Sequence, residues 1–148
     1  MDLLTTFAKI SANLPSILIK SRSADVDKGI PWDKERQELI GRARWLCQEV
    51  IVSPDELIKK MPKELGRFYG GQWAIYSCCY TAVALANLCR IYPDIKEEML
   101  PKIEALIDLT NTPVIRYYDT MMWKEDAMDG LDGPNDHMTY LSLLAWAI

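Results

Sequence analysis

Basic clusters, unbroken apolar runs, metal-ligand spacings and nucleophile motifs are all missing from this 148-residue chain. Each absence removes a class of function. Phosphate recognition needs grouped Lys and Arg. The densest basic group here is Lys59, Lys60 and Lys63, flanked by Glu56 and Glu64, in a chain of net charge −4 and pI near 5.0, so no nucleic-acid partner is expected. The longest apolar stretch, residues 73–91, is interrupted by Ser77, Thr81, Asn87 and Arg90. Read against the roughly 18 to 20 residues of a membrane span, it predicts no membrane partner and a soluble chain. The amino end places Asp2 where a secretory leader would carry positive charge and lacks a continuous apolar centre. Four cysteines, Cys47, Cys78, Cys79 and Cys89, stand in apolar helical patterns without a CxxC pair or a His at ligand spacing. They predict buried free thiols and no metal site. No GxSxG, phosphate-loop, dinucleotide-binding or HExxH motif is present, so no cofactor is expected, and hydrolase, kinase and dehydrogenase readings lack support.

What remains is 49% hydrophobic and 26% charged, the composition of one globular domain with a real core. Residues 2–13 place Leu3, Leu4, Phe7 and Ile10 at helical intervals, with Leu14 following, until Pro15 disrupts the run. Residues 34–51 carry one apolar stripe, Leu39, Ile40, Ala43, Leu46, Cys47, Val50 and Ile51, with Asp33 as the expected cap. Ser53-Pro54-Asp55-Glu56 reads as a capping box opening a short helix that ends near Pro62. Gly66, Gly70 and Gly71 bracket Arg67-Phe68-Tyr69 and predict a loop that delivers Gln72 and Trp73 into a helix over 72–91. That helix is apolar on almost every face, as a central helix would be. Asp94-Ile95-Lys96-Glu97 is a second capping box, before a charged helix with Met99, Leu100, Ile103, Leu106 and Ile107 on one side and a kink or a division expected at Pro101. Asn135 or Asp136 is then expected to cap a last helix that stops at Trp146-Ala147-Ile148 without a terminating signal. Such an end predicts a fragment, with its apolar face covered by a continuation of the chain or by a second copy in a homo-oligomer.

The chemistry-bearing residues concentrate in 116–140, which holds the only His, three Tyr, Trp123 and many Asp, with no helical period evident. His137 beside Asp136 is an acid/base candidate oriented by a neighbouring carboxylate, and Tyr140, one turn on, would share its face. The alternative is a helix-terminal histidine with one local hydrogen bond. Asp119, Asp126, Asp129, Asp132 and Asp136 suggest paired carboxylates for work on a sugar or terpenoid alcohol, or solvated loop groups, since their spacing misses a calcium loop. Tyr117, Tyr118 and Trp123 would stack on a ligand ring or pin the loop to the core. Met121, Met122, Met128 and Met138 are expected to pack inside.

The helices alternate amphipathic (34–51), apolar (72–91), amphipathic (96–110) and apolar (136–148), an outer, inner, outer, inner order. This order resembles the α/α toroids, which include linalool dehydratase-isomerase and many glycan-processing enzymes. Asp136-His137-Met138-Thr139-Tyr140-Leu141 resembles the His-rich start of an inner helix in the linalool dehydratase-like group. The resemblance implies an all-α domain of antiparallel hairpins, part of a toroid that needs more hairpins than this chain holds. It implies a ligand, a carbohydrate or terpenoid-type alcohol, at the N-termini of the inner helices. Asp136, His137 and Asp119 would then serve catalysis, and Gln72, Trp73, Tyr76, Trp123, Asp132 and Tyr140 would bind substrate. The alternative is a non-enzymatic helical interaction or oligomerisation module.

Overall fold

A computed structural model describes residues 32–129 and 135–148. They fall in two compact units that divide at Leu39 and Ile40. Of the first, only residues 32–39 are described, the opening turns of helix α1. The expected helix over 2–13 lies outside the described residues.

The second unit is all helical, and no strand occurs among the described residues. Helix α1 (Trp32–Val50) is followed by α2 (Pro54–Lys60), a 3-10 turn (Lys63–Leu65), α3 (Gly66–Ile91), a second 3-10 turn (Pro93–Ile95), α4 (Lys96–Thr110), α5 (Pro113–Trp123) and α6 (Met138–Ala147). The central element is α3, which packs against α2, α4, α5 and α6. Its buried stripe is Ala74, Ile75, Cys78, Cys79, Ala82 and Leu85, spaced by three and four residues as one helical face requires. The small residues let the neighbouring helices approach closely.

Periodicity and capping chemistry act locally, and they hold where they were clearest. In α1 the buried set is Ile40, Ala43, Cys47 and Val50. Ser53 Oγ accepts from the Glu56 amide at 3.4 Å, at the head of α2. Two clamps fix the carboxyl half of α1. Arg44 donates two hydrogen bonds to the Glu98 carboxylate of α4, at 2.8 and 2.7 Å, and Lys60 of α2 reaches the Glu49 carbonyl at 3.0 Å and its carboxylate at 3.2 Å.

Four expectations are corrected. The Gly66 to Gly71 segment is helix rather than loop, so α3 begins six residues earlier than expected, at Gly66. The reason lies in the neighbour: a Cβ on Gly71 would meet Tyr118 Cβ at 3.2 Å and the Ile115 carbonyl oxygen at 3.3 Å, so this glycine admits α5. Pro101 does not divide α4, which runs unbroken through it, because Pro101 stands on an exposed side near the helix start and removes a single backbone hydrogen bond. The cap positions are Ile95 for α4 and His137 for α6, rather than Asp94, Asn135 or Asp136, and α1 already includes Asp33. Residues 116–123, expected to begin a long loop, belong instead to α5.

The segment Tyr69–Ile91 is 23 residues long with mean hydropathy 1.3, long and apolar enough by composition to cross a membrane, contrary to the expectation that no such helix exists. The core helix of a water-soluble protein has the same character. Here the stripe from Ala74 to Leu85 is 0–1% exposed against the other helices.

Candidate functional site

Of the five polar side chains buried among the described residues, Arg116 and Asp119 stand on helix α5 and His137 at the head of α6. The inward stripe of α5 is Ile115, Arg116, Tyr118 and Asp119, while Tyr117, Met121 and Met122 face outward. Two of the four inward residues are charged types, which is why hydrophobic periodicity did not reveal the helix. Each charged type has a specific partner, the condition under which such groups are buried.

Asp119 pairs with His137, 18 residues on, where the chain returns to begin α6: His137 Nδ1 lies 2.6 Å from Asp119 Oδ2. Both side chains are almost fully buried, at 0% and 3% exposure. A carboxylate only accepts, so Nδ1 carries the proton that faces it, and in the neutral ring Nε2 presents a lone pair. Nε2 is buried and has no hydrogen-bond partner among the described residues. The Trp123 ring lies beside the imidazole, with centroids 5.8 Å apart and planes tilted by 53°. His137 adopts φ 41° and ψ 28°, a left-handed conformation that strains a residue with a Cβ. That backbone turns the ring inward to Asp119 at the head of α6.

A second network braces this pair. Arg116 Nε and Nη2 donate to the two oxygens of Asp126 at 2.9 and 2.7 Å, and Nη1 donates to the Asn111 carbonyl. Asp126 also accepts from the Met128 amide at 2.9 Å, closing the turn after α5. Hydrogen bonding from the Arg116 guanidinium holds the Asp126 carboxyl below its ordinary range. Tyr140 of α6 donates to Asn111 Oδ1 at 2.9 Å, so the network joins the end of α4, α5, the following turn and α6. Burial pushes the Tyr140 hydroxyl up to about 12, which keeps it a neutral donor. Asn135 donates to Glu125 in the same turn.

Of the expected catalytic residues, Asp119 and His137 meet. Asp136 is exposed and is not the carboxylate that orients His137, because the left-handed turn at His137 directs the imidazole inward to Asp119. Tyr140 lies one turn beyond His137 and is fully buried, but its hydroxyl is engaged by Asn111. Trp123 is beside the imidazole. Gln72 donates to the Tyr76 hydroxyl at 3.3 Å within α3, and Trp73 is half exposed on that helix. Among the described residues, neither makes a hydrogen bond or ring contact with Asp119 or His137. Asp132 lies outside the described residues, and Asp129 is exposed. The methionines expected inside are exposed instead: Met121 40%, Met122 57%, Met128 45% and Met138 67%. Arg116 and Asn111 escaped the sequence reading; Arg116 was legible only as one of two cations in an acid-rich stretch.

Among the described residues no three His, Cys, Asp or Glu side chains are grouped to hold a metal ion. A cavity of about 470 Å³ opens elsewhere, lined by Ile58, Lys59, Met61, Pro62, Lys63 and Gly70, none of them an expected site residue. No protein-family model, curated protein or solved structure matches the chain.

Proposed function

We propose that the chain is an enzyme-like helical domain of α/α-toroid type, in which His137, held by Asp119, exchanges a proton with the hydroxyl of a carbohydrate or terpenoid-type alcohol. One observation carries this reading: a fully buried imidazole whose Nδ1 is engaged by a buried carboxylate while Nε2 has no partner among the described residues. Buried polar atoms are seldom left without a partner, so a bare Nε2 calls for one from beyond the described residues, and a substrate hydroxyl is a suitable one. The carboxylate fixes the tautomer and stabilises the imidazolium formed when Nε2 takes a proton, the role such a pair plays in acid/base catalysis. Trp123 lies beside the ring and supplies an aromatic surface suited to a sugar or terpenoid body.

The test is a panel of sugar and terpenoid alcohols assayed for binding and turnover with His137→Asn and Asp119→Asn. Asn tolerates the left-handed backbone at position 137, so the first variant removes the imidazole with little added strain. Both variants are expected to lose turnover by about 100-fold or more while remaining helical. Wild-type turnover retained in His137→Asn would overturn the assignment.

A non-enzymatic oligomerisation module is the second reading, and a row of exposed rings supports it. Trp73 meets Tyr76 edge-on at 5.8 Å, Tyr76 stacks on Tyr80 at 5.9 Å, and Tyr80 meets Trp146 of α6 edge-on at 5.3 Å. Trp73, Tyr80 and Trp146 are 50%, 53% and 52% exposed, an apolar face that a second copy of the chain would cover.

A further inference from the structure

Gly70 and Gly71 are adjacent residues of α3, and only one has a packing reason to be glycine. A Cβ on Gly71 would press into α5, whereas a Cβ on Gly70 would find Met61 Cβ at 3.8 Å and Ile58 Cγ2 at 4.0 Å, ordinary contact. A glycine inside a helix costs about 1 kcal/mol relative to alanine. At position 70 that cost leaves the wall of the cavity of about 470 Å³ without a side chain. The volume falls within the range of small-molecule sites, roughly 300–1,000 Å³.

The rest of the lining specifies a ligand. Ile58, Met61 and Pro62 give it an apolar floor, and Lys59 and Lys63 stand exposed at its edge. Lys60, between them, is spent on Glu49. Neither Lys59 nor Lys63 pairs with a carboxylate among the described residues, so two cations of the densest basic group in an acidic chain line one largely apolar cavity. We propose that this cavity binds a small amphipathic anion, an apolar chain with a carboxylate or phosphate head, its body against Ile58, Met61 and Pro62 and its head between the two lysines. Apolar burial supplies affinity, and the two ammonium groups select the anion. The site shares no residue with the Asp119 and His137 pair and stands independently of the activity proposed for it.

Titration calorimetry of the full chain with octanoate, octyl phosphate, octanol and inorganic phosphate tests this. Octanoate and octyl phosphate are expected to bind saturably below their micellar concentrations, octanol roughly fivefold to tenfold more weakly, and phosphate alone not measurably. Lys59→Gln with Lys63→Gln should bring the two anions down to the affinity of octanol. Gly70→Met, which projects a flexible side chain into the cavity, should abolish binding of all three chains. Its thermal unfolding, at or above the wild-type midpoint, establishes that the fold is intact. Equal affinity for octanol and octanoate, binding that survives Gly70→Met, or no saturable binding to the wild-type chain would each overturn the proposal.

Discussion

Cys78 has no exposed surface, and burial, with Cys79 adding to it and Thr110 opposing, pushes its thiol up to about 12 from an ordinary 9.0. The folded state therefore holds the proton where the unfolded chain releases it. A raised pKa contributes stability that is intact below the unfolded value and lost as pH rises toward the folded one, here between about 9 and about 12. Tyr140 adds the same sign over the window from 10.0 to about 12. The urea midpoint followed by circular dichroism is expected to fall steadily above about pH 9, and at about pH 8 a thiol reagent should modify half-buried Cys89 well before Cys78. Equal modification rates would refute the burial of Cys78. Single residues of this kind were legible beforehand, because a cysteine in an apolar helical pattern behaves as a small hydrophobe wherever that helix packs. Asp119 was not legible in that way: its burial depends on a histidine in another helix.

At the scale of the element, α3 contains two consecutive glycines with opposite demands. Gly70→Ala adds a Cβ in ordinary contact and gains helix propensity, so it should stabilise the fold by about 0.5–1 kcal/mol. Gly71→Ala forces its Cβ against the Tyr118 side chain and a backbone carbonyl of α5, which can give way only if the helices separate; it should destabilise by about 1–3 kcal/mol. Chemical denaturation of the two variants checks both signs, and a stabilised Gly71→Ala would show that α5 yields to the added Cβ and that close approach does not require this glycine. The same pair explains why the start of α3 was misplaced. Glycines read as loop punctuation until a neighbouring helix supplies a reason for them. Helix α5 was missed for the complementary reason, since its buried stripe contains Arg116 and Asp119 and therefore shows no clean apolar period.

For the whole molecule, the exposed row from Trp73 to Trp146 and the outward methionines leave more apolar surface than scattered single residues would. If a second copy covers that row, light scattering across a dilution series should show reversible self-association, and Trp73→Gln with Trp146→Gln should leave a monomer of unchanged helicity. A wild-type chain that stays monomeric at high concentration would exclude the oligomerisation reading. The all-α class, the Ser53 cap, the inward face of α1 and the core role of the apolar helix follow from sequence alone, while in α4 Met99 and Leu106 of the expected face are buried and Leu100 is exposed. Capping is local chemistry, and apolar periodicity specifies an inward face whatever it packs against. Only the tertiary structure decided that His137 answers to Asp119 rather than to Asp136, that Arg116 joins the end of α4 to the turn after α5, and that Gly70 lines a cavity. A buried polar group or a missing side chain takes its meaning from atoms brought close by other helices, and no spacing along the chain encodes that proximity.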